Sequence, residues 1–376
     1  MRYLKYLLVV TILCIACNPK IKKIDLSNTE EHNSTVNAED IFESIDFVPL
    51  EYRNECILRN PSVFAVDERS VFVWDGDNIF RFSLNGEFCN RIGAIGKGHG
   101  EHGHLNSATY DRKRHIVLLG THNGTIYKYD QHGNYIGQFR MDFKDELLQA
   151  IKWNNEMDCL VCEVRKYSSK GLVITLRTIS IDGKIINSYM AYSDHNTIKV
   201  NMLKTGMLRN GNNGIYFKLP FDNRLLFLSS KGLSTAMIFD FGKYSSNRRD
   251  IEDIDYSYRR GETTRHIENM VIADKYIFLS IVRKNSCQEV IVDIGDNSIK
   301  HNLVFNDANP CHLKISGMDT FSFWPWLRDS NMFVDLVPIE QFSTKEMQHF
   351  KKRRFIDKNI PKSELNPVLV IGKIKE

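Results

Sequence analysis

From Phe47 onward the apolar residues come in short runs of four to seven, alternating with polar ones and separated by Gly, Asn and Asp. Ser70-Val-Phe-Val-Trp74, Ile79-Phe-Arg-Phe82, Ile116-Val-Leu-Leu119 and Thr125-Ile-Tyr-Lys-Tyr129 are typical. Period-two runs rich in β-branched and aromatic residues, bounded by turn formers, predict strands. Such strands place one set of side chains between sheets and the other outward or towards the neighbouring sheet.

Aligning the turns exposes a weak repeat. Leu84-Asn-Gly86, Gln131-His-Gly133, Ile181-Asp-Gly183 and Ser230-Lys-Gly232 each end one strand and begin another, at intervals of 47, 50 and 49 residues. A fifth equivalent falls near Gly295-Asp-Asn297, after an insertion carrying the charged residues 243–266. This spacing fits four-stranded units over 60–103, 104–146, 147–196, 197–250 and 262–306, with a less regular sixth over 310–337. The fold class predicted is all-β: a six-bladed β-propeller. Phe47-Val-Pro-Leu50 and Val368-Leu-Val-Ile371 supply N- and C-terminal strands that close the ring and remove open sheet edges. Ser343 to Phe355 has helical composition and is expected to form one short C-terminal surface helix. Two stacked β-domains are the alternative, and regular spacing without a Pro/Ser linker argues against it.

The chain begins with Arg2 and Lys5, then an apolar run from Leu7 to Ala16, then Cys17. A basic start, a short apolar stretch and a small residue at the cleavage point describe a secretory signal, and the run is too short to span a bilayer. Cys14-Ile15-Ala16-Cys17 fits a lipobox with a loose first position, so cleavage before Cys17 and lipidation of that cysteine are expected. The organisation read here is a signal peptide over 1–16, a flexible polar tether over 17–43 and the propeller over 44–376. Several acyl chains on one cysteine give firm membrane anchorage.

The formal charge is +4; removing Arg2 and Lys5 with the leader leaves +2. No basic stripe with interleaved aromatics stands out, so nucleic acid is not an expected partner.

Arg91 to His104 carries Gly93, Gly96, Gly98, Gly100 and Gly103. It is not a phosphate cradle: Gly98-His99 follows Lys97 where Ser or Thr is required, and strand rather than helix chemistry comes next. The segment reads as a long loop between two units, with glycines supplying positive φ and close packing. His99, His102 and His104 make it a weak metal-site candidate, since H-x-x-H-x-H matches no strong zinc pattern.

Gly96-Lys-Gly-His-Gly-Glu-His102 resembles the GKGPGEY signature of the six-bladed β-propeller lipoproteins of Bacteroides and relatives, an NHL-like or TolB-like family. His99 stands where that signature has Pro, and His102 where it has Tyr. The resemblance extends to the leader, to Phe47-Val-Pro-Leu-Glu51, to Tyr127-Lys-Tyr-Asp-Gln-His-Gly133 and to Asn366-Pro-Val-Leu369. It implies fold and location, and brings no general enzymatic activity with it. Asn18-Pro-Lys-Ile-Lys-Lys23 is basic, whereas surface-exported lipoproteins of the bacteria whose lipoproteins this chain resembles carry an acidic patch there; the resemblance therefore implies an outer-membrane anchor facing the periplasm.

Of eight cysteines, Cys14 leaves with the leader and Cys17 takes the lipid; Cys56, Cys89, Cys159, Cys162, Cys287 and Cys311 remain. Cys159-Leu-Val-Cys162 has redox or zinc spacing, but residues three apart on a strand face opposite ways, so buried unpaired thiols are expected. No G-x-S-x-G, H-E-x-x-H or Asp-box motif occurs. The best binding feature is Phe321-Ser-Phe-Trp-Pro-Trp-Leu-Arg-Asp329, where Pro325 pushes the chain from strand pairing. Trp324, Trp326 and Arg328 are the ligand-binding candidates, able to stack on a sugar or grip a peptide. The competing expectation is that both indoles pack between blades. The sequence thus points to a lipid-anchored envelope module binding a glycan, peptide or envelope protein. Its rivals are a lyase or lactonase-like hydrolase with a metal in the central channel, and a structural partner in a nutrient-uptake assembly. No catalytic residue or cofactor is selected.

Overall fold

A computed structural model describes residues 21–29, 34–142, 145–168, 171–194, 206–219, 222–245, 265–283, 286–305, 313–319, 321–329, 331–351, 355–356 and 359–375. The leader, Cys17 and Cys311 lie outside these residues.

Six sheets form the blades of a propeller. Blade 1 runs Ser62–Val66, Ser70–Asp75, Asn78–Ser83, Phe88–Arg91; blade 2 runs Ser107–Asp111, Ile116–Gly120, Thr125–Asp130, Tyr135–Arg140. Blade 3 comprises Glu146–Asn154, Cys159–Ser168, Gly171–Ile179 and Ile185–Asp194, and blade 4 Met207–Gly211, Gly214–Lys218, Arg224–Ser229 and Gly232–Asp240. Blade 5 is His266–Ile272, Tyr276–Arg283, Ser286–Asp293 and Ile299–Phe305. Blade 6 takes Leu327–Asp329, Met332–Val337 and Val368–Ile374 from the C-terminal part and its outer strand, Phe42–Pro49, from the N-terminal part. Neighbouring blades meet through their first strands, which therefore line the axis.

The ring closes where Phe47 pairs with Val370 and Pro49 with Val368, antiparallel. Asn366 locks this seam. Its Nδ2 donates to Glu51 O (2.7 Å) and Cys56 O (2.8 Å), and its Oδ1 accepts from Leu58 N (2.9 Å). Glu51 carries the link onward, its carboxylate accepting from Phe88 N at 2.9 Å in blade 1. The two distant segments Phe47–Glu51 and Asn366–Leu369 are thus one structural device.

The apolar core divides into six clusters, one in each gap between blades. Alternation explains this: Val71 and Val73 face blade 6 while Phe72 faces blade 2. Cys159 and Cys162 behave likewise, one in the gap between blades 3 and 4 and the other in the gap between blades 2 and 3, both buried and free. The repeated turn glycines seat each blade against the one before. Gly86 and Gly183 have φ of +83° and +85°; a Cβ on Gly86 would land on Pro49 O, and one on Gly183 would lie 2.6 Å from Phe139. At the fifth turn the left-handed residue is Asn297, φ +62°, an asparagine tolerating that conformation better than most.

Two expectations need correction. Within 17–43, Lys22–Asp25 is a strand paired parallel to the outer strand of blade 4, with Ile24 and Leu26 fully buried, and Ala38–Ile41 is a helical turn capped by Asn37 and Asp40. A tether reading failed because two apolar residues in a polar stretch suffice when a sheet edge waits for them. Within 343–355, Glu346–His349 is a 3₁₀ turn. The buried Glu346 carboxylate accepts from Phe321 N and Ser343 N, and Phe350 packs on Phe47 and Phe342, so tertiary anchors override helix propensity.

Candidate functional site

The glycine-rich loop joins blade 1 to blade 2 and folds back on itself, Ile95 bridging His102. Glu101 Oε2 accepts from Gly98 N at 2.7 Å. A Cβ on Gly96 would occupy the place of that carboxylate, which is why the run needs glycine. Tyr129 Oη donates to Gly100 O at 3.2 Å, tying the loop to blade 2. The three imidazoles go to three places. His99 meets the Tyr135 ring edge-on; His104 Nδ1 contacts Asp77 at 2.8 Å on the surface; His102 is fully buried beside Tyr127 and Tyr129. His102 Nδ1 donates to Gly103 O at 3.0 Å, and burial lowers its pKa, so it is neutral near pH 7. Among the described residues no three His, Cys, Asp or Glu side chains converge as metal ligands.

Trp324 and Trp326 divide. Trp324 is 7% exposed, its Nε1 donating to Ser280 Oγ at 2.9 Å and its ring edge-on to Phe278 at 5.6 Å in the gap between blades 5 and 6. Trp326 is 47% exposed and stands just before the axial strand Leu327–Asp329. Arg328, at the centre of that strand, donates to Ile272 O at 3.1 Å and pairs with Asp274 at 3.3 Å.

Arg328 belongs to a feature that sequence reading did not assemble. A solvent-open cavity of about 340 Å³ sits where the axial strands of blades 2, 3, 4 and 6 end. Asn155, Asn210, Asn212, Asn331, Arg112 and Arg328 form much of its rim. Asn154 beneath them is structural: its Nδ2 donates to Gly214 O, and its Oδ1 accepts from Glu156 N and Met157 N. Asn210 Oδ1, by contrast, is buried with no hydrogen-bond partner among the described residues.

Below the rim the axis is crossed by polar side chains, each reaching another blade. Arg112 of blade 2 donates to Val66 O of blade 1 (2.6 Å) and pairs with Asp329 of blade 6. Lys152 of blade 3 donates to Phe64 O of blade 1 at 3.4 Å. Arg209 of blade 4 donates to Met270 O (2.9 Å) and Asn269 Oδ1 (2.8 Å) of blade 5, and Asn269 donates to Trp326 O of blade 6 at 3.4 Å. Burial lowers the Lys152 pKa; Asp329 opposes this, while Arg209 and Arg112 add to it. Burial also brings the Arg209 pKa down to about 10. The sequence signal was a basic residue followed within two positions by Asn or Asp near the end of an axial strand: Lys152-Trp-Asn154, Arg209-Asn210, Arg328-Asp329. Only the ring brings these together.

These features define a six-bladed propeller with a polar, cation-bearing axial mouth. The chain belongs to the family described as "Domain of unknown function (DUF4934)", which it matches over residues 21–373. Among solved structures it is similar to a Bacteroides fragilis protein described as "Putative exported protein (BF0058)", with a TM-score of 0.66 and 15% identity, covering 95% of this chain and 100% of that one. Weaker similarity reaches BamB from Moraxella catarrhalis (TM-score 0.39, 11% identity, 69% of this chain and 66% of that one). The WD40 propeller domain of Doa1 is comparable (TM-score 0.40, 11% identity, 71% and 75%). No curated protein matches the sequence.

Proposed function

We propose that the protein is a binding module of a bacterial cell envelope, lipid-anchored through Cys17 and facing the periplasm, with its ligand entering the axial mouth. The observation that carries this is the open rim built by four blades, in which a buried amide oxygen of Asn210 has no hydrogen-bond partner among the described residues. Buried polar groups ordinarily find one, and an amide-lined cavity suits a ligand rich in hydroxyl or peptide groups. Export of the chain is supported by its leader and by the description of the similar Bacteroides fragilis protein. A second reading places the ligand on Trp326, whose exposed indole offers a stacking surface.

Calorimetric titration with envelope oligosaccharides and peptides separates the two readings. Asn331→Trp, at an exposed rim position, is expected to abolish binding while Trp326→Ala leaves it intact; the reverse pattern would move the site to Trp326. For the anchor, Cys17→Ser is expected to stop incorporation of labelled fatty acid and release the protein from membranes. Continued incorporation would refute lipidation at Cys17.

A further inference from the structure

We propose that the axial belt seats an oxyanion, so that the ligand of the mouth is an acidic saccharide: its anionic group rests on Lys152 and Arg209 and its hydroxyls on the asparagine rim. This rests on the reading that the mouth binds a ligand, and specifies what that ligand must carry.

Charge is the first argument. Among the described residues the belt holds three cations, Arg112, Lys152 and Arg209, and one carboxylate, Asp329, which Arg112 already pairs; the other carboxylate lining the mouth, Glu156, accepts from Asn213 N. Arg209 is held, among the described residues, by a backbone carbonyl on each of two blades and by an amide, and by no carboxylate. Placing uncompensated cations in a partly desolvated channel is unfavourable, and a neighbouring like charge adds to the cost. An anion between them relieves both terms.

The second argument is unused donor capacity. An ammonium carries three donors and a guanidinium five. Among the described residues Lys152 makes one long hydrogen bond, to Phe64 O at 3.4 Å, and Arg209 makes three, leaving two of its N–H groups over. Lys152 is only partly exposed and Arg209 likewise, so bulk water reaches these donors incompletely.

The third argument is depth and lining. Lys152 precedes Asn154 by two strand residues, about 7 Å at the usual rise, and Arg209 immediately precedes Asn210, so both cations sit next to residues that line the cavity. Asn155, Asn210, Asn212 and Asn331 both donate and accept, as hydroxyls do, and no large apolar side chain lines the cavity. A hydrophobic or lipid-like ligand would find no complementary wall.

The test is thermal unfolding of the purified protein with glucuronate, glucose 6-phosphate or glucose 6-sulfate, each against glucose and against sodium chloride at matched ionic strength. The anionic sugars are expected to raise the melting temperature saturably at millimolar concentration and glucose much less; whichever anion acts most strongly identifies the oxyanion. Lys152→Met should weaken the response at least tenfold and, without ligand, melt at or above the parent temperature because a strained cation is gone. Lys152→Gln, which retains a donor, provides the same test should the methionine variant fail to fold. Glucose acting as well as glucuronate, unaffected by either variant, would overturn the oxyanion seat while leaving the mouth as a binding site. An anion response that survives both substitutions would also overturn it, as would no anion response alongside oligosaccharide binding blocked by Asn331→Trp. If Asn331→Trp also leaves oligosaccharide binding unchanged, the reading of the mouth falls with it.

Discussion

Trp324→Ala and Trp326→Ala, two residues apart, are expected to differ sharply in stability. Trp324 fills the gap between blades 5 and 6, where Phe42, Phe278, Phe323 and Phe333 crowd together at ring-centroid distances of 5.3 to 6.0 Å. Truncation there removes a large buried ring, its edge-on contact with Phe278 and the hydrogen bond to Ser280. Phe or Trp to Ala in a packed core costs about 3–5 kcal/mol. At roughly 2–4 °C per kcal/mol for chains of 150–250 residues, and less for larger ones, the melting temperature should fall by about 5–10 °C. Trp326, nearly half exposed, should shift stability by no more than about 0.5 kcal/mol, as surface substitutions do. Trp324→Phe keeps most of the packing and gives up the indole donor, so about 1–2 kcal/mol is expected. Differential scanning calorimetry of the three variants decides the matter. Equal losses for the two alanine variants, or a loss below 1 kcal/mol for Trp324→Ala, would refute the assignment of Trp324 to the core.

Asn366→Ala deprives Leu58 N, Glu51 O and Cys56 O of their partner; with each orphaned buried group costing about 1–3 kcal/mol, urea denaturation should show a loss near 3 kcal/mol and fraying at the seam between blades 6 and 1. Gly86→Ala combines a left-handed backbone with collision against Pro49 O, and should cost about 2 kcal/mol or more; a neutral result would mean the turn can move off blade 6. Lys218 is buried, its ammonium bound to Leu219 O and Asp222 O, and burial lowers its pKa to about 8. The unfolded chain therefore holds a proton that the folded one loses between pH 8 and about 10.5, so stability rises with pH in that window. The gain from pH 8 to 10 should be about 2 kcal/mol relative to Lys218→Met, read from urea midpoints; parallel pH profiles for the two proteins would contradict it. Glu163→Ala removes the carboxylate that meets Arg165 at 2.7 Å in a fully buried pair and accepts from Gly206 N. Loss of one partner of such a pair costs about 3–5 kcal/mol, measurable by the same denaturation.

Short apolar or alternating runs and turns recurring at 47 to 50 residues determined the blades, because a strand must be apolar on each face that meets a neighbouring blade and a turn that touches the preceding blade must carry glycine or asparagine. The closing strands were legible for the same reason: Phe47–Leu50 and Val368–Ile371 are apolar runs at the two ends of the chain. The thiols of Cys159 and Cys162 could be placed on opposite faces from parity alone. What parity cannot supply is the partner. Whether Trp324 or Trp326 was the buried indole depended on which one met Ser280 and Phe278 across a gap between blades. His99, His102 and His104 lie close in sequence, yet a loop folding back on its glycines sends their rings to different surroundings. Lys22–Asp25 becomes a strand only because the outer edge of blade 4 offers it hydrogen bonds. The axial belt is the clearest case. Arg112, Lys152, Arg209 and Asp329 span more than half the chain, and each is unremarkable in its own strand. Closure of the ring alone brings their charges into one channel, since side chains from blades that are not neighbours meet only where first strands converge on the axis.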